Sequence, residues 1–192
     1  MALVYIHGFN SSPASFKARL THEALERLGR GAEFVAPALP PRPDEAIAIL
    51  ESVVSAAGAP CCLVGSSLGG YYATYLAERH GLKAVLVNPA VRPYELLGSV
   101  VGPQENYHTH ERYELRREDV EALLRYEVAR IAHPERLLLL VETGDEVLDY
   151  REATARYMGA RQVVIEGGDH GFSDFAEYLP RVLEFCGCDA PV

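Results

Sequence analysis

Six short apolar runs recur along the chain, at Ala2 to Ile6, Glu33 to Ala36, Cys61 to Gly65, Lys83 to Val87, Leu137 to Val141 and Gln162 to Glu166. They are continuous rather than alternating, so each reads as a strand covered on both faces, and such strands belong to parallel sheets flanked by helices. Between them the apolar period changes to three and four. Phe16, Leu20, Ala24 and Leu28 predict one helix, with Ser12 and Pro13 as its cap and first turn and Gly29 as its stop. Pro43, Asp44 and Glu45 open a second, whose Ile47, Leu50 and Val54 face inward until Gly58 ends it. A last helix carries Phe175, Tyr178, Leu179 and Val182 as its stripe and Ser173 as its cap, and Pro180 within it predicts a kink or a break. The pattern as a whole predicts an α/β fold with a six-stranded, mainly parallel sheet.

Residues 91–134 do not fit this alternation, because they are too long for an ordinary strand-helix-strand connection. They read as an insertion: Gly102-Pro103 and the polar, aromatic stretch Asn106 to Tyr113 look like loop, and Glu118 to Ile131 is amphipathic. Val120, Leu123, Leu124, Val128 and Ile131 share one helical face, with Glu121 and Arg125 at pairing distance. A surface helix packed on the sheet satisfies that pattern, and so does a lid. The segment leaves the carboxyl end of the fourth strand, next to the third, and is therefore expected to roof whatever site the third strand delivers.

A chain of 192 residues with 48% hydrophobic composition supports one core, so residues 1–192 are expected to form a single domain. Twenty-seven acidic against 18 basic residues give a formal charge of -9, which disfavours nucleic acid and anionic membrane surfaces as partners. No basic leader precedes His7, and the apolar stretch there is too short for a signal peptide or a bilayer span, so a cytoplasmic protein is expected. Cys61 with Cys62, and Cys186 with Cys188, lack metal-site spacing and read as reduced thiols in that setting. Neither a metal nor a cofactor is expected, and the sequence does not address the oligomeric state.

Gly65-Ser66-Ser67-Leu68-Gly69 lies between a buried run and a helical stretch. In a strand-to-helix elbow of this form the central serine is held in a strained conformation that lifts its hydroxyl clear of the sheet. A small-residue turn would produce the same five residues, so the remaining chemistry decides. A serine needs a base within hydrogen-bond reach and a group to orient that base. His170, in Gly167-Gly168-Asp169-His170-Gly171-Phe172 after the last strand, is the best placed of the 7 histidines. His22, His80 and His133 sit on helical surfaces, His108 and His110 in the insertion, and His7 is expected to brace its loop. For the acid, the loop after the fifth strand offers Asp145, Glu146 and Asp149. Asp145 comes first and is the choice; Asp149 can cap the following helix, and Asp169, adjacent to His170, is expected to stabilise its own turn. The chain order serine, aspartate, histidine is that of the α/β-hydrolases. In that fold the loop after the first strand, here His7-Gly8-Phe9-Asn10, supplies one oxyanion donor, so the Phe9 and Leu68 N–H groups are the expected oxyanion hole.

Tyr5 to Pro13 (YIHGFNSSP), Gly65 to Gly70 (GSSLGG), Asn88 to Pro93 (NPAVRP), Thr143 to Tyr150 (TGDEVLDY) and Gly167 to Phe172 (GGDHGF) together resemble the YqiA-type small bacterial esterases of the α/β-hydrolase superfamily. The resemblance covers nearly the whole chain and implies hydrolysis of a small-molecule carboxylic ester through Ser67, Asp145 and His170, without a cofactor. The spatial strand order carried over from the fold is 2-1-3-4-5-6. Tyr71, Tyr107 and Phe172 are candidates for binding the substrate's acyl part. An acyl thioester is the nearest alternative substrate, and a ligand-binding protein on a hydrolase scaffold is the alternative of another class.

Overall fold

The structure, a computed structural model, describes residues 1–58 and 60–188. Its elements in chain order are β1 (Ala2–Ile6), α1 (Phe16–Arg27), β2 (Phe34–Val35), α2 (Pro43–Ala57), β3 (Cys61–Ser66), α3 (Leu68–His80), β4 (Lys83–Val87), α4 (Pro93–Gly98), β5 (Gly102–Glu105), β6 (Arg112–Leu115), α5 (Arg117–Ala122), β7 (Leu137–Glu142), α6 (Tyr150–Arg156), β8 (Arg161–Ile165) and α7 (Phe175–Cys186).

The main sheet runs β2-β1-β3-β4-β7-β8 with every pair parallel. Counting its own strands alone, this is the order 2-1-3-4-5-6 carried over from the hydrolase fold. All six residues of β3 and all six of β7 are buried. The period of two divides them between two apolar layers. Ile6, Leu63, Leu86 and Leu139 face α2 and α3, and Leu3, Val64, Val85 and Leu138 face α1 and α7. The edge strands differ from the fully buried expectation: β2 is half-buried and Val164 of β8 is 48% exposed, because an edge strand has a neighbour on one side only.

The helices follow the sequence with shifted starts. Ser12 accepts the Ala14 N–H through its hydroxyl at 3.1 Å and closes a turn, so α1 begins at Phe16 behind Ser15. The later start turns the buried face to Ala18, Thr21, Ala24 and Leu25 and leaves Phe16 exposed. Gly58 ends α2 as expected, with φ 65. Asp174, not Ser173, occupies the N-cap of α7, and Pro180 sits inside that helix without interrupting it. Both Pro180 and Ala176, whose carbonyl loses its donor, are exposed, so water can satisfy the missing bond.

The insertion departs most from expectation. Its supposed loop is an antiparallel hairpin, β5 with β6, registered from Gly102 opposite Leu115 to Glu105 opposite Arg112. Its supposed long helix is α5, six residues long, followed by a single 3-10 turn over Leu123–Tyr126. Arg125 does not pair with Glu121; its guanidinium and the Tyr126 hydroxyl both reach Asp44 on α2. Those contacts draw the chain off the helical path, burying Val120 and Leu123 while Leu124 stays exposed.

The cysteines also require a correction. Cys62 and Cys186 form a disulfide, with Cα atoms 5.5 Å apart; Cys61 is a free, buried thiol and Cys188 is buried. Adjacent residues on a strand face opposite sides, so Cys62 looks toward α7 while Cys61 looks away. The disulfide removes the redox ground for expecting a cytoplasmic protein. No helix among the described residues is long and apolar enough to cross a membrane.

Candidate active site

Parallel strands deliver their carboxyl ends to one edge, and there the registers align Ile6 with Gly65, Ser66 with Val87 and Glu142 with Ile165. Ser67 follows immediately, at φ 55 and ψ -121, a left-handed conformation that costs a non-glycine residue about 1–3 kcal/mol. Surrounding contacts hold it there. Its N–H donates to Val87 O at 3.1 Å, and its carbonyl accepts from Gly70 and Ala90 N–H at 2.9 and 3.1 Å. A side chain at Gly65 would strike the Gly69 carbonyl and Ala73, and one at Gly69 would strike the Ile6 and His7 carbonyls. Only glycine at both positions lets β1, β3 and α3 approach this closely.

His170 Nε2 lies 3.1 Å from Ser67 Oγ, and His170 Nδ1 lies 3.0 and 2.9 Å from the two Asp145 oxygens. A carboxylate only accepts, so Nδ1 carries the proton and Nε2 is left to accept from the serine hydroxyl. The Asp145 side chain is 2% exposed. Burial pushes its carboxyl up, but the His170 ring and the Leu148 and Val147 N–H groups, each at 2.8 Å, outweigh it and hold Asp145 below the usual carboxylate range.

Several elements fix the loop that carries His170. Gly144 N–H donates to Gly167 O at 2.7 Å, and the Glu146 carboxylate accepts His170 N–H at 2.9 Å. Lys17, on α1, donates to Gly171 O, and Asn88 Nδ2 donates to Asp169 O at 3.0 Å. The residue patterns did not assign Glu146 or Asn88 a part. The signal that could have found Asn88 is an asparagine set between the fourth apolar run and Pro89; the structure holds it buried there at φ 39. Of the competing acids, Asp149 caps α6 by accepting Arg151 N–H at 3.0 Å, and the Asp169 carbonyl accepts Phe172 N–H at 3.1 Å in a turn.

A cavity of about 140 Å³ opens at Gly8, Phe9 and Leu68 beside Ser67 and is walled by His7, Tyr72 and the hairpin residues Asn106, Glu111 and Tyr113. The Gly8 backbone presses close to the serine, since a Cβ there would lie 3.2 Å from Ser67 Cβ and 3.7 Å from its hydroxyl. Among the described residues, neither Phe9 nor Leu68 N–H donates to a protein acceptor. Both are therefore available to a ligand. His7 Nδ1 donates to Gly8 O at 2.9 Å and its Nε2 accepts Leu39 N–H at 3.2 Å, which fixes one neutral tautomer; burial holds its pKa below the ordinary imidazole value. The hairpin is tied to the same loop: Tyr113 OH donates to Asn10 Oδ1 at 2.6 Å, and Asn106 Nδ2 donates to Ser11 O at 2.8 Å.

Tyr71, Tyr107 and Phe172 do not line this cavity. Tyr71 is buried with its hydroxyl on Leu123 O at 2.8 Å, Tyr107 is 75% exposed, and Phe172 is fully buried against Phe175 and Tyr178. Aromatic composition alone could not tell core from pocket at these positions; Phe9, Tyr72 and Tyr113 line the cavity instead.

A model of the uncharacterised protein family UPF0227 matches residues 2–187. A UPF0227 protein of Pasteurella multocida (strain Pm70) is 25% identical over 188 residues, covering 95% of this chain and 98% of that protein. One from Shewanella sp. (strain ANA-3) is 30% identical over 125 residues, covering 64% of this chain, and the match spans only 63% of that relative's length. Among solved structures, mouse alpha/beta hydrolase domain-containing protein 10 superposes with a TM-score of 0.68 at 17% identity, covering 95% of this chain and 89% of the other. Est1E from Butyrivibrio proteoclasticus, solved with ferulic acid bound, gives 0.69 at 16% identity, covering 96% and 88%. Those likenesses establish the α/β-hydrolase fold.

Proposed function

The chain belongs to the UPF0227 family, and we propose that it is a serine hydrolase cleaving carboxylic esters of small or acyl-chain substrates through Ser67, His170 and Asp145. One observation carries this reading: a single imidazole ring bridges Ser67 Oγ at 3.1 Å and a buried aspartate at 2.9 Å. The names borne by fold neighbours, among them Est1E, agree with ester hydrolysis.

Asp145 keeps the His170 proton on Nδ1, so Nε2 can take the serine proton as Oγ attacks the ester carbonyl. The tetrahedral oxyanion is held by the Phe9 and Leu68 N–H groups, which are in place before reaction; one such donor contributes about 3 kcal/mol to transition-state stabilisation. The imidazolium then returns its proton to the leaving alcohol, giving an acyl-enzyme. Water activated by the same nitrogen releases the acid. No metal or cofactor enters these steps. Residues 91–134 take part through their hairpin, which closes the cavity over Phe9 and Asn10, whereas α5 packs away from the site against α2 and α4.

The test is a panel of chromogenic esters and acyl thioesters of increasing chain length, run beside Ser67→Ala. Ester hydrolysis that disappears in the variant supports the reading. Thioester hydrolysis alone would move the substrate class while keeping the machinery, and hydrolysis unaffected by Ser67→Ala would end it.

A further inference from the structure

Glu142 ends β7, is fully buried, and takes no part in the chemistry described. Its Oε2 accepts Asp169 N–H at 2.9 Å, directly beneath the histidine loop, and its own N–H donates to Asn88 Oδ1 at 3.0 Å. The contact is close: a Cβ on Gly168, at φ 77, would overlap the Glu142 carboxyl group. The other oxygen, Oε1, is buried without a partner, and so is Oδ1 of Asp174 at the N-cap of α7. The two carboxyl groups are within hydrogen-bonding reach of one another. Buried acceptors without a donor are costly, and a single proton shared by the two carboxyl groups satisfies both.

We propose that Glu142 and Asp174 share one proton beneath the His170 loop, and that this pair is a positioning device which releases the loop when the proton is lost. The inference deepens the serine-hydrolase reading and rests on it for its catalytic consequence. Protonated Glu142 donates to Asp174 while its second oxygen accepts the Asp169 N–H. Ionised, it confronts the Asp174 carboxylate from α7 and the Asp169 carboxylate from the loop. Among the described residues, Tyr178 on α7 and Lys17 on α1 are the other titratable groups that interact with it.

Burial, then the Asp174 bond and the Asp174 and Asp169 charges, raise the Glu142 pKa to about 7 against the opposing pull of the Asp169 N–H. Burial also lowers the Lys17 ammonium to about 8, although Asp169, Glu142 and Asp145 pull it back up. The cation that offsets these carboxylates is thus lost just above the pH at which Glu142 ionises. A folded-state pKa above the unfolded value means stability that is present below about 4.5 and lost as pH rises through about 7. Ester turnover should therefore fall on the alkaline side as well as the acid side.

The test compares wild type with Glu142→Gln, whose amide donates to Asp174 and accepts from Asp169 but cannot ionise, and with Asp174→Asn, which supplies the donor from the other partner. Turnover and Tm are followed from about pH 5 to pH 9. In wild type, Tm should fall as pH rises from about 5 to about 7, and kcat should decline several-fold above neutrality. Both variants should keep the acid limb, lose the alkaline decline in kcat, and show a flatter Tm profile, with KM little changed. A wild-type plateau at alkaline pH, or the same decline in both variants, overturns the shared proton. If neither ester nor thioester is turned over, the serine reading fails, and the Tm profiles alone still decide the pair: equal slopes in all three proteins reject it.

Discussion

Asn88, where β4 ends, donates its side-chain amide to the carbonyl of Asp169 at 3.0 Å and thereby ties the loop of His170 to the strand beside Ser67. Its Oδ1 accepts Glu142 N–H, so one buried side chain links the ends of β4 and β7 to that loop. Asn88→Ala strands a buried N–H and removes the donor to the loop, each a loss of about 1–3 kcal/mol. We expect a lower Tm and a kcat reduced more than tenfold at nearly constant KM. Thermal melts with steady-state kinetics check this; a large rise in KM alone would count against a positioning part.

Asp145→Asn should lower kcat by about three to four orders of magnitude, because an amide can present a donor to Nδ1 and favour the wrong tautomer. Asp149→Asn should be nearly silent, since asparagine caps a helix about as well. Asp145 is held below its ordinary value, so its contribution to stability is present above the unfolded carboxylate range and lost as pH falls through the lower folded value. Paired pH profiles of the two variants decide the assignment, and a crippled Asp149→Asn beside a healthy Asp145→Asn would reverse it.

The hairpin should govern selectivity. Replacing residues 106–111 by a two-residue Gly-Ser turn removes Asn106 and Glu111 from the cavity wall and frees Asn10 and Ser11 from two bonds. Chain-length preference across the ester panel should change more than Tm. Unchanged selectivity with a large loss of Tm would make the hairpin core packing.

The disulfide predicts that Cys62 and Cys186 resist alkylation until reduced, whereas Cys61 reacts in the unfolded chain without reductant. Under denaturing conditions, reduction should expose two more alkylation sites than the non-reduced protein shows. Losing a native disulfide of this kind costs about 2–5 kcal/mol, so Tm should fall in reductant. Four adducts without reductant would contradict the pairing.

The central strands were legible because a continuous run such as Leu137 to Val141 has no other use in a chain this size. Ser67, Asp145 and His170 were legible because each follows a strand in an order peculiar to one fold. The rest depended on partners distant in sequence. The long helix of the insertion stops where Asp44, 81 residues away, captures Arg125. The hairpin lacks a periodic signal because Gly102 and Pro103 begin it and Glu105 and Arg112 pair across its exposed face. Cys62 gives no hint of Cys186, and Glu142 looks like the polar end of a strand until Asp174 is seen beside it.

The most decisive measurement is peptide mapping after treatment with a fluorophosphonate probe. The strained backbone and the Nε2 contact belong to Ser67, while the adjacent Ser66 is buried. A single adduct on Ser67, absent from Ser67→Ala and slowed severely in His170→Ala, is the expected result. An adduct on Ser66, or none under conditions where the protein hydrolyses esters, would contradict a Ser67 nucleophile.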